Sequence, residues 1–488
     1  MRDAIVVTGV GVVSPLGPLP AFWSGLCAGT SGIAARTPQD DRPAAPQLEA
    51  RVRDWHARDH IRPALLRRMD HTSRMVVSAC RMALTDAELV LEGARAEDAG
   101  IVVGTAFGNL SESEDFLRGL FAKGPGLANP LTFPNLVMNA PTGYVAIDLG
   151  IRGPNLTVVR GEASGEAALA LAFDTIAAGH ADVLLAGGVD ELTPVARDVY
   201  SDLALLSPGA TGGEEWSSPF DRGRNGYVMG EGAAMLVLER ASHAESRGAR
   251  IYAELAGYAT ESIPASPHDW PTVAAGAASG RATAEQLAAL GMRPVADRDD
   301  RAGITLVVSC ANSTRRLDAV EAARLATLLG AGARHALVTS LKGSIGELGA
   351  AGALGAAAAV QAIATGDVPR LGALRAPDPA CTFPLATRST PQPPGGVAEV
   401  LLSATPRGGG AITVSGGTKT RIFRVTCKDE VVLRGLTLVD GNAVGEGVEG
   451  CGGAIRTGGH GGLVRVDRCT LRGNVARGEG GAVGLDEG

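Results

Sequence analysis

A carboxylate sits where an α/β enzyme would present a nucleophile. The stretch Val158-Val159-Arg160-Gly161-Glu162-Ala163-Ser164-Gly165 follows a strand-like run (Asn155 to Val159) and opens an Ala-rich helix from Glu166 to Ala178. A strand that turns tightly through Gly and Ser into a helix lifts one side chain into a cleft, and the helix N-terminus favours negative charge developing there. The side chain so placed is Glu162, where a thiol would make immediate chemical sense. Glu162 can be a residue that fills space at the turn, or a carboxylate nucleophile that forms an acyl anhydride.

The elements that must position this turn read as an α/β layered pattern. Strands are expected at Ala4 to Val7, Ala99 to Gly104, Leu156 to Val159, Val183 to Gly187 and Ala233 to Leu238. Helices are expected at Phe22 to Ala28, Thr72 to Asp86, Gly165 to Ala178 and Leu317 to Leu329. A second cycle begins near Ala253 and includes strands at Ile304 to Val308 and Ala336 to Val338. The Gly/Ala-rich run Leu348 to Ile363 reads as a buried helix.

A chain of 488 residues has room for two or three domains. Hydrophobic residues make up 45% and aromatics only 4%, so the core is built from small side chains that allow close packing. The formal net charge of -7, with no basic run interleaved with aromatics, argues against nucleic acid as a partner. No stretch reaches the roughly 20 apolar residues of a membrane-spanning helix, and the N-terminal run is too short for a secretory signal. The seven cysteines include no CxxC pair, which argues against zinc and a disulfide framework and favours a reducing, cytoplasmic setting. No metal or cofactor is expected.

Composition shifts after the Pro- and Thr-rich residues 376 to 395. From about Ala411 a pattern of Thr-Leu, Gly-Asn and Gly-Gly-Ala-apolar occurs twice. It runs through Val431 to Leu438, Gly441-Asn442 and Gly452-Gly453-Ala454-Ile455, then through Val464 to Leu471, Gly473-Asn474 and Gly480-Gly481-Ala482-Val483. Short strands and turns recurring at about 30 residues predict a β-helix-like solenoid fragment, broken off in mid-repeat, against the alternative of a Gly-rich disordered tail.

Residues 1 to about 404 resemble the β-ketoacyl-acyl-carrier-protein synthases, ketosynthases of the thiolase-like fold. The resemblance rests on Val6-Val7-Thr8-Gly9-Val10-Gly11-Val12-Val13-Ser14-Pro15-Leu16-Gly17, on Phe133 to Pro154, on Ala181 to Asp190, and most specifically on Pro219-Phe220-Asp221-Arg222 through Gly226-Tyr227-Val228-Met229-Gly230-Glu231-Gly232. It implies a five-layered α-β-α-β-α subunit of two similar halves, residues 1 to 250 and 251 to 410, with 411 to 488 as the Gly-rich fragment. It also implies a dimer.

The family's working site needs a Cys nucleophile and two His that assist decarboxylation and stabilise the enolate oxygen. By motif, Glu162 falls at the Cys. Cys310, in Cys310-Ala311-Asn312-Ser313-Thr314-Arg315-Arg316-Leu317-Asp318, falls at the first His. Glu347, in Lys342-Gly343-Ser344-Ile345-Gly346-Glu347-Leu348-Gly349-Ala350-Ala351-Gly352, falls at the second, with the spacing one residue short. Lys342, Asp318 and the Gly/Ala frame are kept. The resemblance adds a third reading of Glu162, the acid counterpart of the Gln-substituted elbow in the family's chain-length-factor subunits. Cys310 reads either as a displaced thiol or as a buried inert Cys. None of the eight histidines falls in a site motif; His268, in a loop that could border an acyl channel, and His335 read as loop or helix-end residues. The family's final loop has its candidate at Thr405 to Gly410, without the usual Phe and Asn.

Loss of all three reacting side chains on a kept scaffold predicts a homologue without condensing activity that partners an active ketosynthase, shapes its acyl tunnel and docks the acyl carrier protein. A homodimer is the other assembly. Two competing readings remain: an acyltransferase of altered chemistry such as a malonyl decarboxylase, and a non-enzymatic surface protein worked by its β-helix.

Overall fold

The computed structural model describes residues 3–36, 48–208, 213–260, 272–289, 291, 292, 294, 303–393, 396, 397 and 399–404, and short strands between 413 and 485. In chain order the first group of elements is β1 (Ile5–Val13), α1 (Leu19–Ala28), α2 (His71–Asp86), β2 (Ala99–Gly104), α3 (Leu110–Lys123), α4 (Ala140–Leu149), β3 (Asn155–Val158), α5 (Ser164–Ala177), β4 (Val183–Asp190), α6 (Pro194–Asp202), β5 (Gly232–Arg240) and β6 (Ala253–Glu254). The second group is α7 (Val273–Ala289), β7 (Ile304–Val308), α8 (Arg315–Leu329), β8 (Leu337–Thr339), α9 (Ala351–Thr365) and β9 (Glu399–Leu402).

The first sheet has the order β3-β2-β4-β5-β1-β6. β2 runs parallel to β3 and β4, while β5 is antiparallel to both β4 and β1. The second sheet, β8-β7-β9, is parallel throughout. The strand side chains alternate between layers, as the period of two requires: Val307 packs with α7 and α8 residues such as Leu287 and Leu325, while Val308 packs with α9 residues such as Leu354.

Helices α2 and α4 cover the outer face of the first sheet. Helices α5 and α9 form the middle layer, with α9 touching both β5 and β9. Here the Gly/Ala-rich run is used. Ala353, Leu354, Ala357 and Ala358 are wholly buried, and such small side chains let a helix sit close to two sheets at once. The outcome is a thiolase-like, five-layered α-β-α-β-α arrangement.

Two expected boundaries differ for a physical reason. β1, expected at Ala4 to Val7, runs on through Gly9 and Gly11 to Val13. A Cβ at Gly9 would lie 2.3 Å from the Ala83 carbonyl oxygen, and one at Gly11 would lie 1.9 Å from that of Ala79. These glycines therefore bring α2 onto the strand rather than end it. Ala253–Glu254, expected to open the second cycle, pairs with β1 at the edge of the first sheet.

The strands beyond residue 408 belong to a separate unit. They pair in parallel: residue 431 faces 464, 437 faces 470 and 442 faces 475, the same offset each time. The Gly-Gly-Ala turns at 452–454 and 480–482, the loops holding His268 and His460, and the final loop at 405–410 lie outside the described residues.

Candidate active site

Three chain segments converge at the middle layer. The first is the elbow between β3 and α5. Gly161 adopts a left-handed conformation, φ +57°, which costs glycine little. Ser164 then ties the turn: its Oγ accepts the Arg160 N–H at 2.9 Å and donates to the Gly161 carbonyl at 2.6 Å, with the Thr105 carbonyl at 3.0 Å. The elbow sits directly on β2, since a Cβ on Gly104 would lie 2.0 Å from the Ser164 carbonyl oxygen. This fixes Glu162, half-buried, at the turn.

The second segment is the loop from β7 to α8. The carboxylate of Asp318, in the first turn of α8, accepts the Asn312 N–H at 2.8 Å, the Ser313 N–H at 3.2 Å and the Phe220 N–H at 2.8 Å. Burial pushes Asp318 up to about 6, against the pull of Arg224, whose Nε lies 3.4 Å away. Cys310 is buried at the head of this loop.

The third segment runs from β8 through Lys342 to α9. Glu347 is held by its backbone: its N–H donates to the Val228 carbonyl at 2.8 Å, and its carbonyl accepts the Gly230 N–H at 2.9 Å. The segment around Gly226 to Gly232 thus acts as a backbone splint for the site.

The side chains meet between these segments. Lys342 Nζ lies 2.9 Å from both carboxylate oxygens of Glu347 and donates to Oε2. Asn312 Nδ2 donates to the same Oε2 at 2.7 Å. All three residues are buried. Burial alone would lower the Lys342 ammonium, but Glu347 and the fields of Cys310 and Glu166 outweigh it and raise the group above its ordinary value. Glu347 is held above the ordinary carboxylate range, first by burial and also by the charge of Glu162, with Lys342 and Asn312 opposing.

Glu166, unremarked in the sequence, is a fourth partner. Its Oε2 is buried without a hydrogen-bond partner, and burial pushes the group up to about 7 against the field of Lys342. It lies against α9, where a Cβ on Gly352 would come within 1.9 to 2.4 Å of its carboxyl atoms. Glu162 lies in the turn before α5 begins at Ser164, so no helical spacing linked the two glutamates in the sequence. Asn312 carried no signal either.

The sequence-predicted residues Cys310, Lys342 and Glu347 therefore face one another electrostatically, with Glu162 near enough to act on Glu347. Elsewhere, His71 pairs with Glu231 at 3.5 Å, His243 with Glu239 at 2.6 Å, and His335 Nε2 with Arg334 Nε at 2.9 Å. Among the described residues no group of three His, Cys, Asp or Glu side chains is placed to hold a metal ion, and no helix is long and apolar enough to cross a membrane.

A five-layered scaffold with a strand–turn–helix elbow at its centre defines the thiolase-like fold class. Two family models match in succession, "Beta-ketoacyl synthase, N-terminal domain" over residues 2–244 and "Beta-ketoacyl synthase, C-terminal domain" over residues 252–374. The chain belongs to the β-ketoacyl synthase family. It is 33% identical over 383 residues to a 3-oxoacyl-[acyl-carrier-protein] synthase 2 of Synechocystis, covering 78% of this chain and 90% of the relative. The ishigamide ketosynthase/chain length factor matches with a TM-score of 0.72 at 28% identity, covering 84% of this chain and 97% of that one. A type II PKS acyl-carrier protein in complex with its ketosynthase (AntDE:AntF) matches with a TM-score of 0.73 at 26% identity, with the same coverage.

Proposed function

We propose that this β-ketoacyl synthase homologue of fatty-acid or polyketide synthesis lacks condensing activity and serves, like a chain length factor, as partner of an active ketosynthase in the cytoplasm. One observation carries the reading. The carboxylate at the second family His position is tied into a buried ion pair with Lys342 and accepts a hydrogen bond from Asn312, and so offers no imidazole to a substrate oxygen. Glu162 puts no thiol on the elbow, and Cys310 puts no imidazole opposite it. Condensation needs all three groups, while the scaffold that would support pairing is intact.

The surface supports a partner. β3 is an edge strand of the first sheet. On α3 and the chain that follows it, Phe121 and Leu131 are each 83% exposed, and Leu127 and Phe133 are also largely exposed. Exposed large apolar side chains, here together with Leu156 on the edge strand and Val159 just after it, and an unpaired strand edge are each features of an interaction face. We assign it to the active ketosynthase subunit, with a homodimer as the competing outcome.

A second surface suits an acyl carrier protein, read as an acidic partner. Arg53, Arg58, Arg62, Arg67 and Arg68 are exposed between α1 and α2, with only Asp54 and Asp59 exposed among them. On a chain of net charge -7 this is a local reversal of sign, suited to steering an acidic partner. The division into halves at residue 250 and the reading of 411–488 as a partial solenoid belong to the same proposal.

The test is co-expression with a ketosynthase that has the Cys and both His, followed by size-exclusion chromatography and a condensation assay. A heterodimer whose product length differs from that of the ketosynthase alone is expected. A stable homodimer that ignores the ketosynthase, or condensation by this chain alone, would overturn the reading. Acetyl product from malonyl-carrier protein would instead favour the decarboxylase alternative.

A further inference from the structure

Lys342 and Asn312 are positioned by groups other than the carboxylate they hold. The Asn312 amide is oriented by Thr314, whose backbone N–H and Oγ1 both donate to Oδ1, at 3.1 and 2.8 Å. Those two donors settle which amide atom faces Glu347, because Oδ1 is already taken and Nδ2 must point the other way. The Asn312 backbone is held in turn by Asp318. Lys342 is anchored through its main chain: its N–H donates to Ser340 Oγ at 3.3 Å, and its carbonyl accepts from Ser217 Oγ at 3.2 Å. A buried ammonium and a buried amide N–H thus converge on one point from two separately fixed loops.

The object at that point is a carboxylate delivered by a third constraint. Gly346, at φ +73°, turns the chain, and the backbone bonds to Val228 and Gly230 hold Glu347 in register. An ammonium 2.9 Å from both oxygens of a carboxylate, with an amide N–H donating to one of them, is an arrangement by which a protein recognises a carboxylate ligand. Here the ligand is part of the chain.

We propose that Lys342 Nζ and Asn312 Nδ2 form a carboxylate-binding cradle that the chain fills with its own Glu347, so that the site is closed to free carboxylates by self-occupation. The ligand class is a small monocarboxylate or the terminal carboxylate of an acyl group. This rests on the loop geometry alone and holds whether or not the chain partners a condensing subunit.

Removing the internal carboxylate opens the cradle. Glu347→Ala is expected to melt below wild type. Sodium formate at tens of millimolar should then raise its Tm by about 2–4 °C more than sodium chloride of equal ionic strength does. Wild type and Glu347→Gln, whose cradles stay filled, are expected to shift alike in the two salts. The double variant Glu347→Ala/Lys342→Met, which lacks the ammonium, is expected to lose the formate-specific rise.

Glu347→Ser is carried in parallel in case the alanine variant does not fold. The proposal is overturned if Glu347→Ala and Glu347→Ser respond equally to both salts, or if wild type or the double variant shows the same formate-specific rise. Failure of both single variants to refold in formate also overturns it, since a cradle that takes a free carboxylate would recover at least one of them.

Discussion

The two sides of the candidate site carry their unusual residues differently. On the side of the loops, Glu347 Oε2 has two donors, both Asn312 amide atoms are used and the backbones on either side are bonded, while Oε1 has no hydrogen-bond donor but lies 2.9 Å from the Lys342 ammonium. On the side of the elbow, Glu166 has a buried oxygen with no partner, and Glu162 stands half-buried at the turn. A buried polar atom left unsatisfied costs about 1–3 kcal/mol, whereas a satisfied one is close to neutral. The loop carboxylate is compensated by a cation in contact with it, whereas the elbow carboxylate feels that cation only through space. The lysine joins the two sides, since its charge acts on Glu347 directly and on Glu166 through space.

The sharpest way to break this contrast is to remove that lysine. Lys342→Met leaves Glu347 buried without its cation and takes from Glu166 the field that opposes its burial. Breaking a buried pair by deleting one partner costs about 3–5 kcal/mol. Urea unfolding at pH 8 is expected to show a loss of that order, shrinking as pH falls and the carboxyl groups take up protons. A loss under about 1 kcal/mol would mean that the pair is solvated and the loops are not consolidated.

Glu166 makes the complementary case. Its folded value, about 7, stands above its ordinary 4.5. Between those two pH values the folded chain holds a proton that the unfolded chain has released, so stability falls as pH rises across the window. Glu166→Gln removes that titration. At pH 8 the variant is expected to be more stable than wild type by about 2 kcal/mol, a value set below the full conversion because the residue keeps some exposed surface. Near pH 4.5 or below, the difference should fall towards zero. A difference that is the same at pH 4.5 and pH 8 would show that ionisation of Glu166 is not the load on the elbow.

These expectations mark what the sequence could and could not display. The β1 run and the Pro219 to Gly232 segment carried the family and hence the layering, because each is a local pattern. Glu162, Cys310, Lys342 and Glu347 were singled out from the same kind of local pattern. The bond between Asn312 and Glu347 was not legible, since it joins two loops whose approach is fixed by Asp318 on one side and by Val228 and Gly230 on the other. Gly352 shows the limit from the opposite direction. It reads as part of a Gly/Ala frame, yet what lies against it is the carboxyl of Glu166, from a different helix, which a Cβ there would displace. Gly9 and Gly11, past the expected end of the strand at Val7, likewise show their use only once the helix they admit is in place.

The smallest effect belongs to the residue that stands out most in the sequence. Glu162 is half-buried on a turn held by Ser164 and Gly161, so its side chain is not what keeps the elbow folded. Glu162→Gln keeps the shape and removes the charge. Substitutions of this kind away from buried networks usually change stability by no more than about 0.5 kcal/mol. The charge does act on Glu347, holding it higher than burial alone would. Its removal therefore favours the ionised carboxylate, and the variant is expected at neutral pH to be equal to wild type or slightly more stable in urea unfolding. A loss above about 2 kcal/mol would mean that Glu162 has a partner in the elbow as firm as those of Glu347, and the two sides of the site would then be alike.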